Sequence, residues 1–408
     1  MAATGGERPH FEVADIVHLH GEAYRRTHDP SGAQQAVLRH IAECRTSALG
    51  GHVDECDACG HQRISYNSCR DRHCPKCQGR ARAAWLASRL ERLLPVPYFH
   101  VVFTLPEQLN ALALGNKRRL FTILFAAAAD TLKTLARDPR HLGAEPGFLA
   151  VLHTWGQNLL FHPHLHCVLT GGGLSADGRR WVRARQRFLL PVRVLGRLFR
   201  GKFLAALNQA RAQGRLHFGG STTPLSDEIA WKLLLDELYR KNWIVYAKPP
   251  FGGPDHVFRY LGRYTHRVAI SNHRIVDHHN GRVSFSLKDY ADGGRRKIMT
   301  VSAVEFLRRF LLHVLPQGFT RIRHFGLCAG GSVHGKLETA RRLLAAEERL
   351  RAPAVPIPHH DAPVERAAPD PLSCPRCEHG RLVRRRLLAP DPVSTGAPHA
   401  KTVIPDTS

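Results

Sequence analysis

In the stretch "QNLLFHPHLHCVLTGGG", residues 157–173, histidines fall at every second position among apolar residues. Period-two alternation predicts a strand, because successive side chains of a strand leave on opposite faces. His162, His164 and His166 then share one face, and Leu165 and Cys167 point the other way, toward a core. The run before it, "GFLAVLHTW", predicts a second strand joined to the first by a bend, and "YFHVVFTLP" at 98–106 reads as another buried strand. Helical periodicity marks 31–44, 110–138, 191–213 and 224–241, as well as 79–94, where Pro95 and Pro97 close the helix. "NWIVYAK" is a further strand. "PDHVFRYLGRYTHRV" is a helix with Pro254 in its first turn. Two alternating runs flank His279-Asn280-Gly281, a hairpin signal, because Asn-Gly accepts the positive φ angles of a tight turn. Residues 297–316 read as strand then helix. From about 351 the chain turns Pro-, Ala- and Arg-rich, which predicts a largely disordered tail interrupted by "CPRC" at 374–377.

Charge adds a partner. Lys and Arg number 59 against 34 Asp and Glu, a net +25 with histidine neutral, in a 408-residue chain that is 43% hydrophobic. A globular chain this basic attracts polyanions, nucleic acid first among them. No apolar run is long enough for a membrane span, and the start "MAATGGERPHFEVADIVHLHGEAYRR" has no basic segment followed by an apolar one, so a cytoplasmic protein is expected.

The cysteines change the picture of the N-terminal region. "CDACGHQRISYNSCRDRHCPKCQ" holds two Cys-x-x-Cys knuckles, Cys56/Cys59 and Cys74/Cys77, with fourteen residues between them. Four thiolates satisfy one tetrahedral Zn²⁺, and these four are expected to form a structural zinc site. Cys44, His52, Cys69 and His73 lie close by and are expected to pack around it, with a second zinc as the alternative. Arg63, Arg70, Arg72, Lys76, Arg80 and Arg82 decorate the module and suit DNA. Cys374 and Cys377 form one more knuckle; a lone pair cannot close a tetrahedral site, His379 would add only one ligand, and the sequence runs on as Glu-His-Gly rather than with an immediate glycine, which speaks against a zinc ribbon there.

Two imidazoles about 6–7 Å apart on one strand face can share a divalent ion. No carboxylate lies between Gly156 and Ala176, which argues against a three-carboxylate, two-metal centre. The nucleophile must come from elsewhere. Tyr260 and Tyr264 are four apart on the predicted helix, hence on one face, among Arg259, Arg263, His266 and Arg267. A tyrosine hydroxyl can attack a phosphodiester and keep the bond energy as phosphotyrosine.

Taken in order, these motifs resemble the two-tyrosine HUH transposases of rolling-circle insertion sequences, the IS91 family, over roughly residues 10–335. The cysteine segment is similar to that family's N-terminal zinc-binding domain, "HVVFTLP" to its first nuclease motif, "HPHLHCVLTGGG" to its second, "YLGRYTHRVAISNHRI" to its third, and "EFLRRFLLHVLPQGFTRIRHFG" to the segment that follows. The resemblance implies an α+β fold: a HUH nuclease core, a five-stranded antiparallel sheet with flanking helices, plus a small N-terminal zinc-binding domain. It divides the chain into 1–95, a catalytic domain at 96–335, and a basic tail at 336–408. It implies His164 and His166 as ligands of a catalytic Mg²⁺ or Mn²⁺, with Gln157 the candidate third ligand and His162 and His153 its rivals. Tyr260 and Tyr264 would be the nucleophiles, single-stranded DNA the substrate, and a 5′-phosphotyrosine with a free 3′-hydroxyl the product of each cleavage. The alternatives are a plasmid replication initiator or relaxase of the same class, and a non-catalytic zinc-dependent DNA-binding protein.

Overall fold

A computed structural model describes residues 9–77, 92–185, 190–248, 269–290, 292–330, 333–351, 372–377 and 379–391. The helix expected at 254–268, and all but the last three residues of the one at 79–94, lie outside the described residues. Helices α1 (Val13–Thr27) and α2 (Gly32–Glu43) open the fold; α2 starts at a capping box in which Ser31 Oγ accepts the Gln34 N–H and the Gln34 amide oxygen accepts the Ser31 N–H. A hairpin, β1 (Gly51–Cys56) and β2 (Gln62–Tyr66), follows. Then come β3 (Tyr98–Thr104), α3 (Asn110–Gly115), α4 (Lys117–Arg137), β4 (Glu145–Trp155), β5 (Phe161–Leu174), β6 (Trp181–Arg183), α5 (Val192–Ala212), α6 (Glu228–Arg240) and β7 (Val245–Lys248). The C-terminal part contributes β8 (Ile275–His279), β9 (Arg282–Asp289), β10 (Arg295–Ser302), α7 (Ala303–Leu311), β11 (Ile322–Gly326), α8 (Val333–Arg351) and β12 (Leu382–Leu388).

The largest sheet is antiparallel in the order β11-β4-β5-β3-β7, with β6 added to the far end of β5. Its two faces follow directly from the alternation. Phe99, Val101 and Phe103 of β3, Phe148, Ala150 and Leu152 of β4, and Leu165, Cys167 and Leu169 of β5 all face one way, into a core completed by Leu120, Phe121 and Phe125 of α4 and Phe199 and Phe203 of α5. Side chains of the opposite parity turn to the other face. There Leu149, Val151 and Val168 pack under Leu337, Ala340 and Leu344 of α8. The other half of that face carries His100, His153, His164 and His166, of which His100 and His153 are buried.

A second core lies under the sheet β10-β9-β8. Val13, Ile16 and Val17 of α1 and Leu38 and Ile41 of α2 pack with Val283, Phe285, Phe306 and Phe310. Asn280 and Gly281 turn the β8–β9 hairpin with φ of 48° and 69°, the left-handed pair that the sequence called for. The third sheet, β12-β1-β2, corrects the expectation for the tail. The segment "LVRRRLL" is polar enough to read as disordered, yet it takes every register position of β1 from Gly51↔Leu388 to Cys56↔Leu382. Backbone pairing with a partner more than 300 residues away is invisible to composition. No described helix is long and apolar enough to cross a membrane.

His313 fastens the β4–β5 turn to α7. It is 1% exposed; its Nε2–H donates to the Leu159 carbonyl at 3.0 Å and its Nδ1 lies 3.2 Å from Thr154 Oγ1. Burial pushes its pKa down to about 3. The unfolded chain protonates this imidazole near pH 6.5, the folded one only near 3, so between those values the unfolded state binds more protons and acid weakens the fold. Linkage puts the loss at about 2 kcal/mol by pH 5. The melting temperature of the protein is expected to fall between pH 7.5 and pH 5, and to fall less in His313→Gln; an equal fall in the two proteins would contradict this account.

Candidate metal centres

β5 runs between β4 and β3, and register brings their histidines together. His153 of β4 stands opposite His164, while Val102 of β3 and Val151 of β4 flank His166. The β4–β5 ladder shifts register between His153 and Trp155, a bulge that re-aims side chains beside the cluster. One ring nitrogen from each of His153, His164 and His166 lies within 4.8 Å of the other two. Ring centroids are 4.3 Å apart for His153–His166, 4.9 Å for His164–His166 and 5.4 Å for His153–His164. Trp155 stacks on the His153 ring at 4.6 Å.

Hydrogen bonds orient two of these rings. His164 Nδ1 lies 2.7 Å from the His162 carbonyl. A carbonyl can only accept, so Nδ1 carries the proton and Nε2 keeps its lone pair, the form a metal needs. His166 Nδ1 lies 2.8 Å from His100 Nε2, and the two rings stack at 5.0 Å. Burial brings the His164 pKa down to about 4. Burial first, then the neighbouring imidazoles of His153, His164 and His100, hold His166 well below its ordinary value. Both rings are therefore neutral at pH 7 and available as ligands.

The candidates from sequence fall out as follows. His164 and His166 converge, and the imidazole that joins them is His153. Gln157 sits in the β4–β5 turn, where its amide oxygen lies 3.5 Å from the Lys288 N–H and its carbonyl accepts from Arg274 at 2.6 Å, tying the turn to β9 and to the segment before β8. His162 is exposed at the open end of β5, its ring 5.1 Å from His164. His100 was missed. Its signal was the leading histidine of "HVVFTLP", but only the β3–β5 register shows that it reaches His166. Tyr260 and Tyr264 lie outside the described residues. Before them the described residues end at Lys248, which pairs with His100, and after them they resume at Ala269 and Ile270, buried in the second core.

The single zinc site expected from Cys56, Cys59, Cys74 and Cys77 is corrected. Cys74 and Cys77 gather with Cys44 and Cys69, whereas Cys56 and Cys59 gather with Cys374 and Cys377. The reason is the hairpin. Cys56 and Cys59 occupy its turn, while Cys44 and Cys69 lie beyond its open end, where Gly51 pairs with Tyr66. The five steps from Gly51 to Cys56 separate those ends by about 17 Å, so one ion cannot serve both knuckles. In the first cluster Cys77 Sγ lies 3.4 Å from Cys44 Sγ and 3.5 Å from Cys69 Sγ, and Cys44 and Cys74 are buried in the second core. Asp71 steadies its loop by bonding His40 at 2.8 Å and His73 at 2.9 Å.

Comparison with known proteins matches two stretches of the chain. A family model described as "Transposase zinc-binding domain" matches residues 16–105, and one described as "Putative transposase" matches residues 147–336. The chain is 53% identical over 376 residues to "Putative transposase y4qJ" of Sinorhizobium fredii (strain NBRC 101917 / NGR234), covering 91% of this chain and 94% of that protein. It is 29% identical over 314 residues to the transposase for insertion sequence element IS801 of Pseudomonas savastanoi pv. phaseolicola, covering 72% and 70%. No solved structure matches it. With its zinc-binding thiols ahead of the histidine sheet, and a relative this similar over nearly its whole length, the chain belongs to the IS91 family of transposases.

Proposed function

We propose that this transposase cuts and rejoins single-stranded DNA through a 5′-phosphotyrosine, using His153, His164 and His166 to hold one divalent ion and Tyr260 and Tyr264 as nucleophiles. The observation that carries the reading is the convergence of three imidazoles on one face of the sheet. The donor set fits a divalent ion: three imidazole nitrogens, with the rings of His164 and His166 oriented by second hydrogen bonds. Nitrogen donors suit Mn²⁺ better than Mg²⁺, which prefers oxygen. When bound, such an ion neutralises charge on a scissile phosphate.

The chain's own groups do the rest. His100 holds the His166 ring through Nδ1, so the second ring nitrogen faces away from it. A tyrosine oxygen attacks phosphorus, the bond from phosphorus to the 3′-oxygen breaks, and that oxygen departs as a hydroxyl with the proton balance closed by the tyrosine O–H. The new tyrosine–phosphate ester retains the free energy of the broken bond, so a 3′-hydroxyl of target DNA can displace the tyrosine without ATP. Two nucleophiles let one strand be held while a second is cut. They are four residues apart on a predicted helix, about 6 Å between Cα atoms, close enough to serve one ion in succession. The net charge of +25 supplies the phosphate affinity.

Mn²⁺ binding and nicking of a labelled single-stranded oligonucleotide carrying an element end test this reading. His153→Ala, His164→Ala and His166→Ala are each expected to abolish nicking and weaken Mn²⁺ binding while DNA binding persists; Gln157→Ala is expected to leave Mn²⁺ affinity within about threefold, and His100→Phe to cost about 10- to 100-fold. Full Mn²⁺ affinity in His153→Ala, with loss in Gln157→Ala, would reassign the third ligand; nicking by both His164→Ala and His166→Ala would remove the metal centre altogether. DNA affinity is expected to fall about 10³-fold or more between 50 and 200 mM salt, as release of counterions from several phosphates requires; a flat response would contradict backbone-dominated binding.

A further inference from the structure

We infer that Cys56, Cys59, Cys374 and Cys377 form a second zinc site, distinct from the one in the N-terminal domain, that clasps the C-terminal tail onto the β1–β2 hairpin. Its C-terminal half lies outside both matched regions, 16–105 and 147–336.

Geometry comes first. The four Sγ atoms lie within 4.8 Å of one another, with Cys56–Cys377 at 3.7 Å and Cys59–Cys374 at 3.6 Å. Zinc–sulfur bonds of about 2.3 Å at tetrahedral angles put sulfurs about 3.8 Å apart. None of the four cysteines is in a disulfide. Each knuckle is a tight turn with its backbone aimed at sulfur or closed on itself. Gly60, at φ 67°, returns its N–H to the Cys56 carbonyl at 3.1 Å. On the other side, the Arg376 N–H points at Cys374 Sγ at 3.4 Å and the Gly380 N–H at Cys377 Sγ at 3.3 Å. Such N–H groups stabilise thiolate rather than thiol.

Gly380 answers the objection raised by the sequence. A glycine does follow the C-terminal knuckle, three residues on, and its lack of a side chain is required: a Cβ there would lie 2.3 Å from Cys56 Sγ and 3.1 Å from Cys377 Sγ. The two knuckles thus close to within the space of a hydrogen atom.

Energetics point the same way. The buried apolar cluster of this small sheet consists of Cys56, Cys374 and Leu382, with Cys377 packed against it. Thiols make up most of what should be a core. Sheets with so little apolar matter need a metal or disulfides to hold. What else joins β12 to β1 is largely polar: the Arg381 N–H to Asp57 Oδ1 at 2.7 Å, and ion pairs of Arg384 with Asp54 at 3.7 Å and Arg385 with Glu55 at 3.5 Å. A metal ion supplies the missing centre, and it joins segments 315 residues apart along the chain.

The test is zinc stoichiometry in the full-length protein. Elemental analysis after dialysis is expected to give Cys374→Ser/Cys377→Ser one zinc ion fewer per chain than the wild type, with amides of 51–56 and 382–388 losing hydrogen-exchange protection while α1 and α2 keep theirs. One zinc per wild-type chain, or the same zinc content in both proteins, would overturn the inference. Alkylation of the wild-type protein decides the matter should the variant not fold. Cys374 and Cys377 are expected to resist a thiol reagent until a chelator is added; modification at the same rate with and without chelator would equally overturn it.

Discussion

The large sheet depends on one constraint: β5 is a central strand with one apolar face and one face that carries imidazoles. Because it is hydrogen-bonded on both sides, to β3 and β4, its side chains have only two directions available. Leu165, Cys167 and Leu169 spend one direction on the core with α4 and α5. His164 and His166 are thereby forced onto the other face, at a spacing set by the backbone rather than by side-chain choice. A shift of one residue would bury both imidazoles against phenylalanine and expose the leucines, so the hydrophobic core itself enforces the register of the histidine pair. On that second face α8 packs over Leu149, Val151 and Val168.

This explains why so much of the histidine centre was legible. Strand alternation is a local property, and "HPHLHC" states it outright. The same is true of the Asn280-Gly281 turn and of the helices with a clear apolar stripe. What was not legible depends on pairing between strands. His153, which the sequence offered with Gln157 and His162 as a third ligand, is singled out because β4 sets it opposite His164, and His100 joins because β3 carries it alongside His166. Neither register is written in the sequence of β5. The cysteines make the point more sharply. Two knuckles fourteen residues apart suggested one site, but a short hairpin of that length drives its turn away from its open end. Each knuckle then finds its partners elsewhere, one nearby in Cys44 and Cys69, one in the distant tail. The tail was misread for the same reason: β12 is ordered by β1 and by thiols it cannot see in its own composition.

The two halves of the molecule solve stability differently. The large sheet has phenylalanine-rich packing, with Phe103, Phe121, Phe125, Phe148, Phe199 and Phe203 all fully buried, and needs no covalent or metal support. The N-terminal helices borrow a core from β8, β9 and α7. The β12-β1-β2 sheet has almost no core of its own. Cysteine clusters occur at the two places where apolar burial is thinnest or where loops replace regular structure. This is the pattern expected when thiolate coordination substitutes for hydrophobic area. The imidazole cluster is of another kind, three histidines brought together by the strand register of a rigid sheet.

The most direct test of the account is covalent. A single-stranded oligonucleotide carrying an element end, labelled on the 3′ side of the cleavage position, is incubated with protein and Mn²⁺ and run under denaturing conditions for the wild type, Tyr260→Phe, Tyr264→Phe and the double variant. The account predicts a labelled, denaturation-resistant protein–DNA adduct that requires metal, persists in at least one single variant and vanishes in the double variant. An undiminished adduct in the double variant, or cleavage that proceeds with no adduct at all, would contradict it.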